Sequence, residues 1–234
     1  MLKALTSNLL RHLTKARVCR ASRHLLRGGF RRKRAHEGVV MQNIIAAIQE
    51  LKRRVAEQIC CIETGTIRSY DEKHESTRHI ADTLGSRGHL ISVDISPDSI
   101  RISKDICKGR TNIKWVLASS TDYIKSLQNE RFHFAFLDSA NDKDLIFSEF
   151  TLLIPHMAED SIVIIDDAGM TLNGQRQDRL VLGEKGHRVG EFLATHGVPF
   201  EVLLTTAEHG TQLRIDLNDS NRKRIEQALS TCNA

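Results

Sequence analysis

Two hydrophobic periods alternate along this sequence, and that alternation limits the folds open to it more than any single motif. Apolar-rich runs of strand length lie at 59–62, 89–94, 113–118, 132–137 and 161–165. Between them, apolar residues recur every three or four positions, the spacing of one helix face. Val40, Ile44, Ile48, Leu51 and Val55 mark such a face over 39–56; Leu145, Ile146, Phe150 and Leu153 mark another over 143–157. The strand runs are nearly continuous rather than alternating, as expected for strands covered on both faces of a parallel sheet. Five strand–helix alternations therefore predict an α/β fold, a doubly wound and mostly parallel sheet. A helix at 188–195 and runs at 200–206 and 212–217, joined through Glu208-His209-Gly210, add an antiparallel hairpin and bring the sheet to seven strands. A last helix at 222–229 has Ser220 as its expected cap.

Four of these strands end in carboxylates: Glu63, Asp94, Asp138 and the pair Asp166-Asp167. In a parallel sheet those ends share one edge. Anions gathered there repel one another unless something supplies hydroxyl donors, an ammonium group or a cation. Gly65 follows the first strand and permits a sharp turn at that edge, where open α/β sheets bind ligands. Asp94 comes roughly 30 residues after this turn, the distance at which nucleoside-binding folds place the acid that holds both ribose hydroxyls. A single glycine in place of G-x-G-x-x-G disfavours a pyrophosphate and favours a cationic nucleoside.

Charge divides the chain. Its 234 residues carry a formal +5, yet residues 1–36 hold 11 of the 34 Lys and Arg and none of the Asp and Glu. The rest has 23 basic residues against all 29 acidic ones, so an acidic body follows a basic leader. The expected organisation is a leader over 1–36 and one α/β domain over 37–234. Leu2, Leu5, Leu9 and Leu13 give the leader an amphipathic helical pattern. A solvated tail, peripheral contact with an anionic membrane and a transit peptide or nucleic-acid arm all fit it. No apolar run reaches the roughly 18 residues of a membrane span. Five cysteines without metal-ligand spacing read as reduced thiols in a cytoplasmic protein, and Cys60 and Cys61 should face opposite sides of their strand.

The ordered set Ile62-Glu63-Thr64-Gly65-Thr66, Ser76-Thr77, Val93-Asp94, Phe136-Leu137-Asp138-Ser139-Ala140-Asn141-Asp142 and Ile164-Ile165-Asp166-Asp167-Ala168 resembles the class I S-adenosylmethionine-dependent methyltransferases, specifically methyltransferase family 24. The resemblance spans about residues 40–217. It implies S-adenosylmethionine as cofactor, with Glu63, Gly65 and Thr66 beside its methionine part. Ser76 opens the helix after the variable loop, Asp94 would take the ribose hydroxyls, and Ser119 or Ser120 would lie near the adenine. Asp138 would face the methionine amine or the reacting centre. Many relatives have an acid and a histidine where this chain has Ala140 and Asn141; Asn141 can orient a substrate but cannot act as a base.

Asp138, Asp166 and Asp167 also resemble the three oxygen ligands of catechol-type O-methyltransferases, which would suit Mg²⁺ or Ca²⁺. The alternative is that Asp166 caps the strand end, Asp167 bonds loop amides and no ion binds. The implied reaction is O-methylation of a small-molecule acceptor such as a sugar or natural-product hydroxyl. The competing function is a non-catalytic scaffold drawn to anionic membrane by the leader. A nucleic-acid substrate is disfavoured, because the sequence has no Asn/Asp-Pro-Pro-Tyr motif. Acceptor specificity is expected in 169–187, a long polar segment, and in the leader. His74 and Arg68 are further candidates for cofactor contacts, and Lys143 is expected to be a solvated helix-start residue.

Overall fold

The computed structural model describes residues 39–70, 75–169, 185–204 and 211–232. The basic leader, His74 and most of the polar segment at 169–187 lie outside these residues, as do the expectations attached to them.

The two periods become a single sheet with helices on both faces. In chain order the elements are α1 (Val39–Arg54), β1 (Ile59–Thr64), α2 (Ser76–Leu84), β2 (Gly88–Asp94), α3 (Pro97–Ile106), β3 (Ile113–Leu117) and α4 (Ser120–Ser126). They continue with β4 (Phe132–Leu137), α5 (Lys143–Leu153), β5 (Met157–Gly169), α6 (His187–Thr195), β6 (Glu201–Leu204), β7 (Thr211–Leu217) and α7 (Asp219–Cys232). The strand order is β3-β2-β1-β4-β5-β7-β6. The first five strands are parallel, and β7 enters antiparallel between β5 and β6. The expected doubly wound α/β sheet with a C-terminal hairpin is present. The order reverses at β1, whose neighbours are β2 and β4, so the edge beyond β1 is a topological switch point.

Strand periodicity divides the core between the two faces. Ile59, Cys61, Phe134, Phe136, Ile162 and Ile164 pack under α1 and α2 with Ile44, Ile48, Leu51, Ile80 and Leu84. The alternate positions Ile62, Ala135, Leu137, Val163 and Ile165 pack under α4 to α7 with Ile146, Phe150, Leu193 and Ile225. Burying each of the Val, Leu, Ile and Phe side chains here is worth about 1.5–3 kcal/mol. Cys61 joins the first cluster and Cys60 packs against the second, the opposed orientation expected of neighbours on a strand.

Element boundaries depart from the sequence reading where hydrogen bonding overrides hydrophobic period. The helix expected over 143–157 ends at Leu153, and a 3₁₀ turn, Ile154–His156, takes its place with Pro155 inside. Proline has no N–H to continue the α-helical ladder. Met157 instead opens β5, which runs to Gly169 and so contains Asp166 and Asp167 rather than stopping before them. Ser96 caps α3 as expected, accepting from the Ser99 amide at 3.2 Å. Ser220 does not cap the last helix. That helix starts at Asp219, and Asn218 Oδ1 accepts from the Asn221 amide at 3.0 Å. No described helix is long and apolar enough to cross a membrane.

Candidate active site

The β1 turn is built around Gly65. Its φ of +85° lies in the left-handed region, and a Cβ there would fall 2.8 Å from the Asp138 carbonyl carbon and closer still to its oxygen. Glycine is required both for the turn and for this approach. Backbone bonds join the turn to both neighbouring strands: the Gly65 amide donates to Val93 O at 2.9 Å, and the Asp138 amide donates to Thr64 O at 2.9 Å. Asp94 and Asp138 therefore flank one turn from opposite sides.

Asp94 stands at the end of β2, half-buried. Its Oδ2 accepts from the Thr66 amide at 2.9 Å and from Thr66 Oγ1 at 3.3 Å; its Oδ1 accepts from the Ser96 amide at 2.7 Å. Each carboxylate oxygen has more than one acceptor site, so both keep capacity for ligand hydroxyls. Two large apolar side chains are exposed at this corner. Ile95 follows Asp94 and is 74% exposed; Leu117, in register with Asp94 on β3, is 58% exposed.

Glu63 was expected to border the ligand, but it points into the fold beneath α2. It is fully buried, and its oxygens accept from Ser76 Oγ, from Thr77 Oγ1 at 2.7 Å and from Ser92 Oγ at 2.9 Å. Strand parity explains this: Glu63 shares the face of Ile59 and Cys61, which α1 and α2 cover. Ser76 and Thr77 begin α2 without capping it, because their hydroxyls serve Glu63. Burial pushes the Glu63 carboxyl up to about 7, against the opposing pull of its three hydroxyl donors.

A second buried carboxylate, Glu149 of α5, mirrors Glu63 across the sheet. It accepts from Thr64 Oγ1 at 3.0 Å and from Ser120 Oγ. Burial raises its pKa also. Nothing in the sequence distinguished Glu149, since a glutamate on a helix is ordinarily solvated. Ser120 thus turns toward Glu149, while the Ser119 hydroxyl lies 3.1 Å from that of Thr121.

The acids after β4 and β5 converge. Carboxylate oxygens of Asp138, Asp166 and Asp167 lie within 4.8 Å of one another. Asp167 adopts φ +46°, a left-handed conformation that aspartate tolerates better than most residues. Asp166 Oδ1 accepts from Gln212 Nε2 at 3.0 Å, and Gln212 is in turn held by Asn43 Nδ2 at 3.0 Å. Sequence reasoning missed the residue that joins the cluster. Lys185, its side chain 2% exposed, places its ammonium on Asp138 Oδ1 and 3.1 Å from Asp167 Oδ2. Burial acts to lower the Lys185 pKa, but the attraction of Asp138 and Asp167 outweighs it and the net shift is upward, which keeps the charge. Burial also raises the Asp138 carboxyl, with the Lys185 charge opposing.

Three carboxylates are a suitable donor set for a hard divalent ion. Lys185 already contacts one oxygen of Asp138 and one of Asp167, so its ammonium competes with any ion for the cluster. Asn141 lies exposed in the loop between β4 and α5, and Arg68 donates to the Asp138 and Ser139 carbonyls at 3.3 Å each. Lys143 is partly exposed and 3.8 Å from Asp144. Two open surface hollows lie away from this edge. One, of about 470 Å³, is between α1 and α2; the other, of about 560 Å³, is at the opposite end of the strands around Gly88 and Asn112.

A seven-stranded sheet of this order, with a glycine turn at its switch point and an acid closing β2, defines a class I S-adenosylmethionine-dependent methyltransferase. Residues 35–168 match methyltransferase family 24, described as a methyltransferase domain, and the chain belongs to that family. Three solved structures illustrate the fold. Cofactor-bound Rv0187 from MTB is 15% identical with a TM-score of 0.57, covering 92% of this chain and 90% of its own. The O-methyltransferase TomG from Streptomyces achromogenes, solved with SAM and involved in tomaymycin synthesis, is 17% identical with a TM-score of 0.56, covering 76% and 80%. A putative O-methyltransferase from Klebsiella pneumoniae is 14% identical with a TM-score of 0.56, covering 93% and 89%. No curated protein matches the sequence.

Proposed function

We propose that this enzyme transfers the methyl group of S-adenosylmethionine to a hydroxyl oxygen of a small-molecule acceptor at the carboxyl edge of β1, β2, β4 and β5. The observation that carries this reading is the pairing of Asp94 and Asp138 on either side of the Gly65 turn. Asp94 suits the two ribose hydroxyls, because one carboxylate can accept from two neighbouring O–H donors. Ile95 and Leu117 offer apolar surface for the adenine beside it, with Ser119 and Ser120 at the start of α4 nearby. Gly65 and Thr66 would line the methionine portion. Glu63 and Ser76 would act from behind, bracing β1 against α2. The small-molecule acceptor draws support from TomG, an O-methyltransferase of tomaymycin synthesis.

In the reaction an acceptor oxygen lone pair forms the new C–O bond as the C–S bond breaks. When bound, S-adenosylmethionine would supply the methyl electrophile and, as a neutral thioether, the leaving group that keeps that electron pair. The hydroxyl proton goes to Asp138, and Asn141 orients the acceptor from the adjoining loop. The sulfonium is already an able donor, so alignment is the main contribution asked of the protein. Mg²⁺ has no part in this scheme, because Lys185 engages the carboxylates that would bind it.

The direct test is thermal unfolding with S-adenosylhomocysteine. Ligand at about 100 times its Kd should add about 2.7 kcal/mol of stability. An unchanged Tm at millimolar ligand would remove the proposal.

A further inference from the structure

We propose that the ε-ammonium of Lys185 fills the place in the Asp138–Asp166–Asp167 cluster that a divalent cation would take, so that this enzyme carries the positive charge of its acceptor end within its own chain. The inference rests on the reading of this edge as the site of methyl transfer. Lys185 becomes a positioning residue: it holds Asp138 and Asp167 and sets the field in which the acceptor hydroxyl loses its proton.

The first ground is occupancy. The ammonium contacts Asp138 Oδ1 and lies 3.1 Å from Asp167 Oδ2, among three carboxylates whose oxygens lie within 4.8 Å of one another. A divalent ion needs those oxygens at about 2.0–2.6 Å. An ion and the ammonium would compete for them, because two cations a few ångströms apart repel. The third acid is held beside them: one oxygen of Asp166 accepts from the Gln212 amide, itself fixed by Asn43.

The second ground is the rigidity of the lysine's attachment. Gly186 is pressed so closely on β5 that a Cβ there would lie 2.6 Å from the Ala168 Cβ. Arg188 pairs with Asp144 at 2.8 Å, and Phe192 meets Phe147 edge-on at 5.5 Å. These contacts fix the start of α6 against β5 and α5, so a long and otherwise mobile side chain is delivered to one place. A solvated surface lysine needs no such anchoring. Side-chain exposure of 2% shows that this one is not solvated.

The experiment is a Mn²⁺ titration of the full chain followed by electron paramagnetic resonance, in which protein-bound Mn²⁺ loses the signal of the free ion. Wild type should leave the signal intact. Lys185→Ala should take up one Mn²⁺ per chain, since the three carboxylates then lose the ammonium that contacts two of them. Lys185→Arg keeps the charge and should behave as wild type, and it covers the case in which the alanine variant does not fold. Stoichiometric Mn²⁺ uptake by wild type, or none by a folded Lys185→Ala, would overturn the proposal. Thermal shifts with S-adenosylhomocysteine, run on the same samples, separate the two levels. Wild type that binds Mn²⁺ and still shows the shift refutes only the role of Lys185. A missing shift refutes the reading of the site beneath it.

Discussion

Gly65 and Asp138 meet backbone to backbone, with no room for a methyl group between them. The contact brings the β1 turn and the end of β4 together and so sets the spacing of the proposed cofactor site. Gly65→Ala would combine a strained φ with a collision against a carbonyl that strand pairing holds in place. We expect a loss of roughly 2–4 kcal/mol in stability and no thermal shift with S-adenosylhomocysteine. Denaturant unfolding with and without ligand measures both, and a variant with wild-type ligand affinity would show that the turn does not form the site.

Glu63 predicts a pH dependence. Its folded pKa of about 7 lies above the ordinary carboxylate value, so its contribution to stability is complete below about pH 4.5 and is lost as pH rises through 7. The loss is on the order of 3 kcal/mol. Glu63→Gln is neutral throughout and should flatten the stability profile between those limits. The informative quantity is the difference between the wild-type and variant curves, since Glu149 and Asp166 are also shifted upward. Parallel curves would place the buried charge elsewhere.

Asp94→Asn leaves one oxygen to serve the Thr66 and Ser96 amides and removes the charge proposed to hold the ribose. A lost charged hydrogen bond of about 1.5–3 kcal/mol corresponds to roughly a 10- to 100-fold weaker Kd for S-adenosylhomocysteine. Calorimetric titration gives the value. An unchanged Kd would detach Asp94 from the cofactor.

The thiols of Cys60, Cys61 and Cys107 should resist alkylation in the native protein. Burial raises Cys60 to about 12 and Cys107 to about 11, and it raises Cys61 as well. Thiolate is the reactive form, so little is present at neutral pH. Peptide mapping after mild iodoacetamide treatment should find these three unmodified until denaturant is added. Rapid labelling of Cys60 would show that the amino ends of β1 and β2 open readily.

Much of this architecture was legible along the chain, because hydrophobic period, glycine and helix caps act among near neighbours. The runs at 59–62 and 132–137, the Ser96 cap and the Gly65 turn depend on residues only a few positions apart, and so does the expectation that acids end successive strands. Tertiary structure decided which way those acids face and what neutralises them. Glu63 and Thr64 turn to opposite faces of the sheet, where Glu63 meets hydroxyls of α2 and β2 and Thr64 donates to the Glu149 carboxylate of α5. Lys185 reaches Asp138 across 47 residues of sequence only because α6 docks against β5 and α5. No local pattern marks such a lysine: its burial and its charge are set by partners that the chain assembles only when the sheet closes.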